Sequence, residues 1–273
     1  MDTNMFKLEQ KNSYMMPAHF GPRYSGPEMS GWYHDVTMMA ISYVTDATKL
    51  SAHIPAPFRV ADNPVVTVVC AQNRKIDWLA GHGYNLIAVN AQVVYEGAEE
   101  TLLGTYTLVV WENLADPILT GRELQGIPKI FANIDDIIID EERWCSSANH
   151  FDNKIVDLSI DNLRPPTEAE ITAAAAAEKA GNHPMAWRYF PGVAGLGNTV
   201  SELTTFPSET IYHEAMVGEG HIDWQPLTWA QNPTQFHIVN ALADLPVLAK
   251  LPSMTAKASV NLILPDKPAR VLK

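Results

Sequence analysis

What most limits the fold is a series of short segments rich in β-branched and aromatic residues, separated by little more than turns. VTMMAISYV (36–44), PVVTVVC (64–70), YNLIAVNAQVVY (84–95) and TYTLVVW (105–111) all have strand composition. The last two are joined by EGAEET and predict a hairpin. Strands that follow one another without an intervening helix pair antiparallel, because a parallel neighbour requires a long crossover. DDIIID, KIVDLSI and ASVNLIL continue the pattern, and Pro207 inside SELTTFPSETIYHEAMV predicts an edge position or a bulge. The chain therefore reads as α+β, mainly antiparallel β, with two or three peripheral helices. One is DATKLSAHI, capped by Thr45 or Asp46 and stopped at Pro55; another is QFHIVNALA after Asn232 and Pro233. Thr167 and Glu170 form a capping box before EAEITAAAAAEKA, a lightly packed outer helix expected to end at Gly181.

Residues 1–30 mix Met, Pro, Gly and polar side chains without a period and read as an N-terminal arm; residues 31–273 read as a single domain. With 47% apolar residues among 273 the chain can bury a large core. Its net charge of −12 argues against nucleic acid and anionic membrane surfaces as partners. No apolar stretch has the length of a signal core or a membrane span, and Cys70 and Cys145 are too few for a disulfide framework. A cytoplasmic, reducing location is expected, with both cysteines as packing residues.

The densest chemistry lies in GRELQGIPKIFANI, residues 121–134. Pro128 fixes its own φ and keeps Ile127 out of the helical region, so Lys129 is expected to leave a rigid extended turn. Ile127, Ile130 and Phe131 surround it with hydrocarbon. Desolvation disfavours an ammonium, so a pKa near roughly 7–8 is expected instead of about 10.4. A neutral amine at neutral pH attacks ketones and yields an imine. Arg122 with Lys129 concentrates positive charge, enough to attract a small carboxylate. Arg122 and Glu123 read equally as support for that carboxylate or as an ion pair holding the turn. Gln125, four residues before Lys129, can orient water, a carboxylate or a hydroxyl without altering the lysine's charge. Tyr84, opening a strand, can supply a phenol. His213 beside Glu214 is a tempting pair, but strand neighbours face opposite sides. No HExxH, GxSxG, Walker or GxGxxG pattern occurs, and no metal is implied.

GRELQGIPK resembles the active-site signature of the acetoacetate decarboxylase superfamily, a Gly-Arg-Glu followed six residues after the glutamate by the Schiff-base lysine. HFGP, YVTDATKL, WENLADPILTGREL, YHEAMVG, NALADLPV and NLILP have counterparts there in the same order. The resemblance implies a cone-like, partly closed β barrel, a covalent imine on Lys129 without any cofactor, and a homo-oligomer of four or more subunits. Activation of a lysine by desolvation or a neighbouring cation is the known device of acetoacetate decarboxylase itself, so that expectation is inherited. Gln125 resembles the aldolase-dehydratase branch. True decarboxylases carry an arginine and a glutamate where an ungapped register places Val36 and Leu86, so the substrate side lined by these two residues is expected to lack the grip on acetoacetate. The reading is a Schiff-base lyase for a small keto acid such as pyruvate, condensing it with an aldehyde. Catalytic roles fall to Lys129, Gln125 and Glu123, and substrate binding to Arg122, Tyr84, Leu86 and Val36. The alternatives are a β-keto acid decarboxylase and a non-enzymatic binder of a small hydrophobic ligand.

Overall fold

A computed structural model describes residues 6–179 and 183–273. The chain runs through β1 (Trp32–Val44), α1 (Ala47–Ser51), β2 (Phe58–Val60), β3 (Val65–Ile76), β4 (Tyr84–Glu96) and β5 (Thr101–Glu112). Then come α2 (Ala115–Gln125), the short β6 (Lys129–Phe131), β7 (Asn133–Ile134) and β8 (Ile138–Ile139), and the longer β9 (Arg143–His150) and β10 (Asn153–Arg164). Helix α3 (Glu168–Lys179) precedes β11 (His183–Pro191), β12 (Asn198–Thr205) and β13 (Glu209–Trp224). The last elements are α4 (Phe236–Ala243), β14 (Ala249–Lys250), β15 (Ser253–Asn261) and β16 (Arg270–Val271).

All strands among the described residues belong to one sheet, whose main path is β16-β12-β11-β5-β4-β3-β1-β15-β13-β10-β9-β7. The path has two free ends, so the barrel is open. Among the described residues only β5 with β6 and β5 with β11 pair parallel. The remaining pairings are antiparallel, as the unbroken succession of strand segments predicts. Side chains of β3, β4 and β5 (Val68, Ile87, Trp111) share one core with Ile155, Leu158 and Ile160 of β10. These strands lie far apart along the sheet, so the sheet must curl round on itself to bring them together. Helix α4 closes this core with Val239 and Leu242.

Local rules account for most boundaries. The Asp46 side chain accepts from the Lys49 amide at 2.8 Å and starts α1. The Thr167 and Glu170 capping box is reciprocal, at 2.8 and 3.3 Å, and residues 171–174 of α3 are exposed as expected of an outer helix. The expected end at Gly181 lies outside the described residues. Pro207 sits between β12 and β13 and splits what reads as one strand into two. The extended-turn expectation for residues 121–134 is corrected at its front: Arg122, Glu123 and Gln125 lie on α2. Pro117 falls in the first turn of that helix, where its missing N–H costs nothing. No helix among the described residues is long and apolar enough to cross a membrane.

Candidate active site

The site begins with the alternation of β4. Its odd residues Ile87, Val89, Ala91 and Val93 enter the core, while Tyr84, Leu86, Ala88 and Asn90 line a cavity of about 840 Å³ on the other face. On β5 the cavity side is held by Thr105 and Thr107 and then by Val110 and Glu112, which differ in parity. The cause is a bulge: the register shifts from Val89↔Val109 to Asn90↔Thr107, so Leu108 and Val109 both turn to the core. Without that extra residue Glu112 would point away from the cavity.

Helix α2 follows and ends at Gly126, whose φ of +79° is the left-handed cap conformation. A Cβ there would also lie 2.3 Å from that of Arg188, so two constraints select glycine. Ile127 and Pro128 return the chain to the sheet, and Lys129 pairs with Val110 in parallel register. Two residues on from Val110, on the same face, stands Glu112.

Lys129 Nζ lies 2.8 Å from Glu112 Oε1 and donates to the Pro117 carbonyl at 3.2 Å. Glu112 is 0% exposed and Lys129 8%. The expectation of a lysine enclosed by hydrocarbon is therefore corrected: Ile127 is buried nearby, but Phe131 is 42% exposed and the immediate neighbour is a buried carboxylate. Removal from water pushes the Glu112 carboxyl above its ordinary range, and the Lys129 ammonium opposes this without cancelling it. The contact is an ion pair without good hydrogen-bond geometry, and Oε2 has no hydrogen-bond partner among the described residues. Beside the pair, Trp78 Nε1 donates to the Tyr33 hydroxyl at 3.1 Å, and the Tyr33 and Tyr84 hydroxyls share a bond of 3.2 Å. Burial pushes Tyr33 up to about 12 and Tyr84 well above its ordinary value, so both remain phenols and can donate.

The lysine stem crosses α2 at Gly121, where a Cβ would lie 2.5 Å from Lys129 Cε and 2.8 Å from Nζ. Gly121→Ala should therefore leave a folded protein, the helix gaining up to about 1 kcal/mol in propensity, with its amine displaced from Glu112. With the Schiff-base role that the motif leads one to expect of Lys129, borohydride trapping of a keto acid at least tenfold slower, with unchanged circular dichroism, is the expected result. An unchanged trapping rate would show that the close approach does not matter.

Of the sequence candidates, Lys129, Gln125, Tyr84 and Leu86 line one cavity; Arg122, Glu123 and Val36 do not. Arg122 Nη1 donates to the Lys129 carbonyl at 3.0 Å and so fixes the lysine's backbone, not a carboxylate in the cavity. The ion-pair alternative for Arg122 and Glu123 has no such pair among the described residues; Glu123 offers its carbonyl to Arg188 Nε at 2.9 Å. Val36 packs with Tyr33, Ala71 and Ile76, so of the two residues expected on the substrate side only Leu86 stands there. The Gln125 carbonyl accepts from Thr204 Oγ1 at 2.6 Å, while its side-chain amide has no partner among the described residues. His213 bonds Ser259 Oγ at 2.9 Å, and neither it nor Glu214 lines the cavity. Among the described residues no three His, Cys, Asp or Glu side chains are grouped to hold a metal ion. Reasoning from sequence passed over Glu112, although a carboxylate ending the apolar strand TYTLVVWE was its visible signal.

The family model for acetoacetate decarboxylase (ADC) matches residues 15–260. The chain belongs to the acetoacetate decarboxylase family. No curated protein matches it by sequence. Its fold is that of acetoacetate decarboxylase from Legionella pneumophila (18% identity, TM-score 0.71, 93% and 92% of the two chains covered). It is also that of the enduracididine biosynthesis enzyme MppR in complex with pyruvate (13% identity, TM-score 0.67, 96% and 97% covered). A further MppR structure holds the condensation product of pyruvate and imidazole 4-carboxaldehyde. An acetoacetate decarboxylase-like enzyme from Sphingomonas wittichii RW1 is similar too (16% identity, TM-score 0.65, 92% and 98% covered). At these identities the likeness is one of fold. The family match takes in the strands that carry Tyr84, Glu112 and Lys129; the cavity wall from Leu262 onward lies past its end.

Proposed function

We propose that the protein is a Schiff-base lyase that condenses a small keto acid such as pyruvate with an aldehyde and removes water. The observation that carries this reading is the buried Lys129–Glu112 pair opening on a cavity that also presents the unpartnered Gln125 amide. Glu112, whose proton affinity is raised by burial, takes the proton from Lys129 and frees the amine. The amine adds to the keto carbon, and the proton held by Glu112 leaves with the carbinol oxygen as water, which restores the carboxylate and gives an iminium that acidifies the adjacent methyl. The Glu112 carboxylate removes that proton, the enamine carbon attacks the aldehyde carbon, and the aldehyde oxygen gains a proton guided by Gln125 or Tyr84. Loss of the new hydroxyl as water and hydrolysis of the imine release an unsaturated keto acid and regenerate the amine. The net change is pyruvate plus aldehyde to unsaturated keto acid plus water. The iminium is the electron sink, so the chain's own lysine takes the place of an organic cofactor.

The pyruvate and condensation-product complexes of MppR support the substrate class. The family resemblance supports a homo-oligomer, and two free cysteines fit a reducing cytoplasmic location. The test is mass spectrometry after borohydride reduction with pyruvate and, on separate unreduced protein, supply of pyruvate with benzaldehyde. An adduct on Lys129 and an unsaturated keto acid are expected. Gln125→Ala should slow product formation roughly 10²–10⁴-fold while leaving trapping intact. Rapid carbon dioxide release from acetoacetate by the unmodified protein would overturn the choice in favour of decarboxylation. Absence of any adduct would favour a ligand binder.

A further inference from the structure

The cavity is far larger than a three-carbon keto acid needs. At about 840 Å³ it lies in the range of roughly 300–1,000 Å³ that encloses a drug-sized ligand. Its walls are largely apolar, with Leu86, Val110, Ile127, Phe206 and Leu262 among them. The charges on these walls run against the rest of the protein. In a chain of net charge −12 the lining carries three cations, Lys11, Arg23 and Lys129, against one carboxylate, Glu112.

Two of the three cations are already neutralised. Lys129 has Glu112, and Lys11 meets Glu9 at 3.3 Å in the open. Arg23 is half-buried, and its guanidinium has no hydrogen-bond or ion-pair partner among the described residues. Its backbone is tied down: its amide donates to the Ser13 carbonyl at 2.8 Å, joining two passes of the N-terminal segment. The same segment is held to the C-terminal wall where the Leu262 amide donates to the Gly31 carbonyl at 3.0 Å. A half-buried arginine whose backbone is held on a cavity wall and whose guanidinium lacks a carboxylate is suited to bidentate binding of one from a ligand.

We propose that Arg23 is the anion-recognising residue of this cavity, and that the aldehyde brought to Lys129 has an apolar body ending in a carboxylate. The aldehyde assignment rests on the condensation reading; the anion site does not. Its test is calorimetric binding of 3-phenylpropionate and of the isosteric 3-phenylpropionamide to the unmodified protein, Arg23→Gln and Arg23→Lys. A charge-assisted pair is expected to make the acid bind about 10- to 100-fold tighter than the amide. Arg23→Gln should erase that preference and Arg23→Lys should keep part of it. Equal binding of acid and amide, or a preference that survives Arg23→Gln, would overturn the assignment.

The ligand class is read by condensing pyruvate with 4-carboxybenzaldehyde and with methyl 4-formylbenzoate. A kcat/KM at least tenfold higher for the acid, lost in Arg23→Gln, supports it; equal values overturn it. Failure of the unmodified protein to trap pyruvate would overturn the condensation reading and the aldehyde assignment with it, while the acid and amide comparison still decides Arg23.

Discussion

Lys129→Met is expected to abolish borohydride trapping of pyruvate and to lower turnover on the order of 10⁴-fold or more, since Lys11, the other lysine of the cavity lining, is exposed and paired with Glu9. Lys75 and Lys154 are no substitutes: their side chains are 71% and 52% exposed and lie outside the cavity. Peptide mapping that finds the reduced adduct on either of them would refute the assignment. The same substitution also affects stability. It leaves Glu112 buried without its cation, and breaking a buried pair from one side costs about 3–5 kcal/mol. Glu112 can escape part of that cost by taking a proton, for which burial has already raised its affinity. The direction with pH follows from proton counting. Above about 4.5 the unfolded carboxyl is ionised while the folded one still holds its proton, so the folded state binds more protons and stability falls as pH rises. Thermal melts of Lys129→Met should therefore show a deficit that is small in acid and grows toward neutral pH. The double variant Lys129→Met with Glu112→Gln should remove that slope; a deficit independent of pH would mean that the pair is not what the lysine stabilises.

The strands were legible because β-branched residues and alternation act locally: apart from Pro64, the segments at 36–44, 64–70, 84–95 and 105–111 lie within strands of one sheet. β9 was not, because RWCSSANH is polar and pairs only through neighbours supplied by β10 and the short β7 and β8. Helix α2 was hidden by Pro117 and Gly121, which lower helix propensity on average yet fit at those two positions, one in the first turn and one under the lysine stem. Lys129 was legible from its motif. Glu112 was marked only as a carboxylate closing an apolar strand, because its partnership with Lys129 depends on a parallel pairing of β5 with β6 and on a one-residue bulge at Leu108. Both are tertiary choices that leave no local mark. Arg23 was obscure for the same reason: a segment without a period gives no hint of which of its side chains lies against a cavity. The roles given to Arg122 and Glu123 illustrate the opposite error, since proximity to Lys129 in sequence became a turn of helix that directs them away from the cavity.

Glu112→Gln is the second large effect, and it separates the chemistry from the scaffold. Glutamine keeps the shape of the side chain but can take neither of the protons that the proposed reaction assigns to the carboxylate, from Lys129 and from the iminium methyl. Positioned proton transfer is worth roughly 10²–10⁴-fold, and two steps draw on the same carboxylate, so turnover should fall toward the upper end of that range. The pH profile carries the sharper signature. In the unmodified protein the carboxylate must be ionised to act as base, so activity should rise on the acid side with a midpoint above the ordinary carboxyl range, because burial holds the proton on Glu112 to higher pH. In Glu112→Gln that limb should vanish, leaving a slow rate that is flat through the same interval. Tyr33 and Tyr84 cannot replace it: burial keeps both as phenols throughout, able to donate hydrogen bonds but not to accept a proton as phenolates. A variant that loses activity yet keeps the acidic limb at its original midpoint would place the titrating group elsewhere and reduce Glu112 to a structural partner of Lys129.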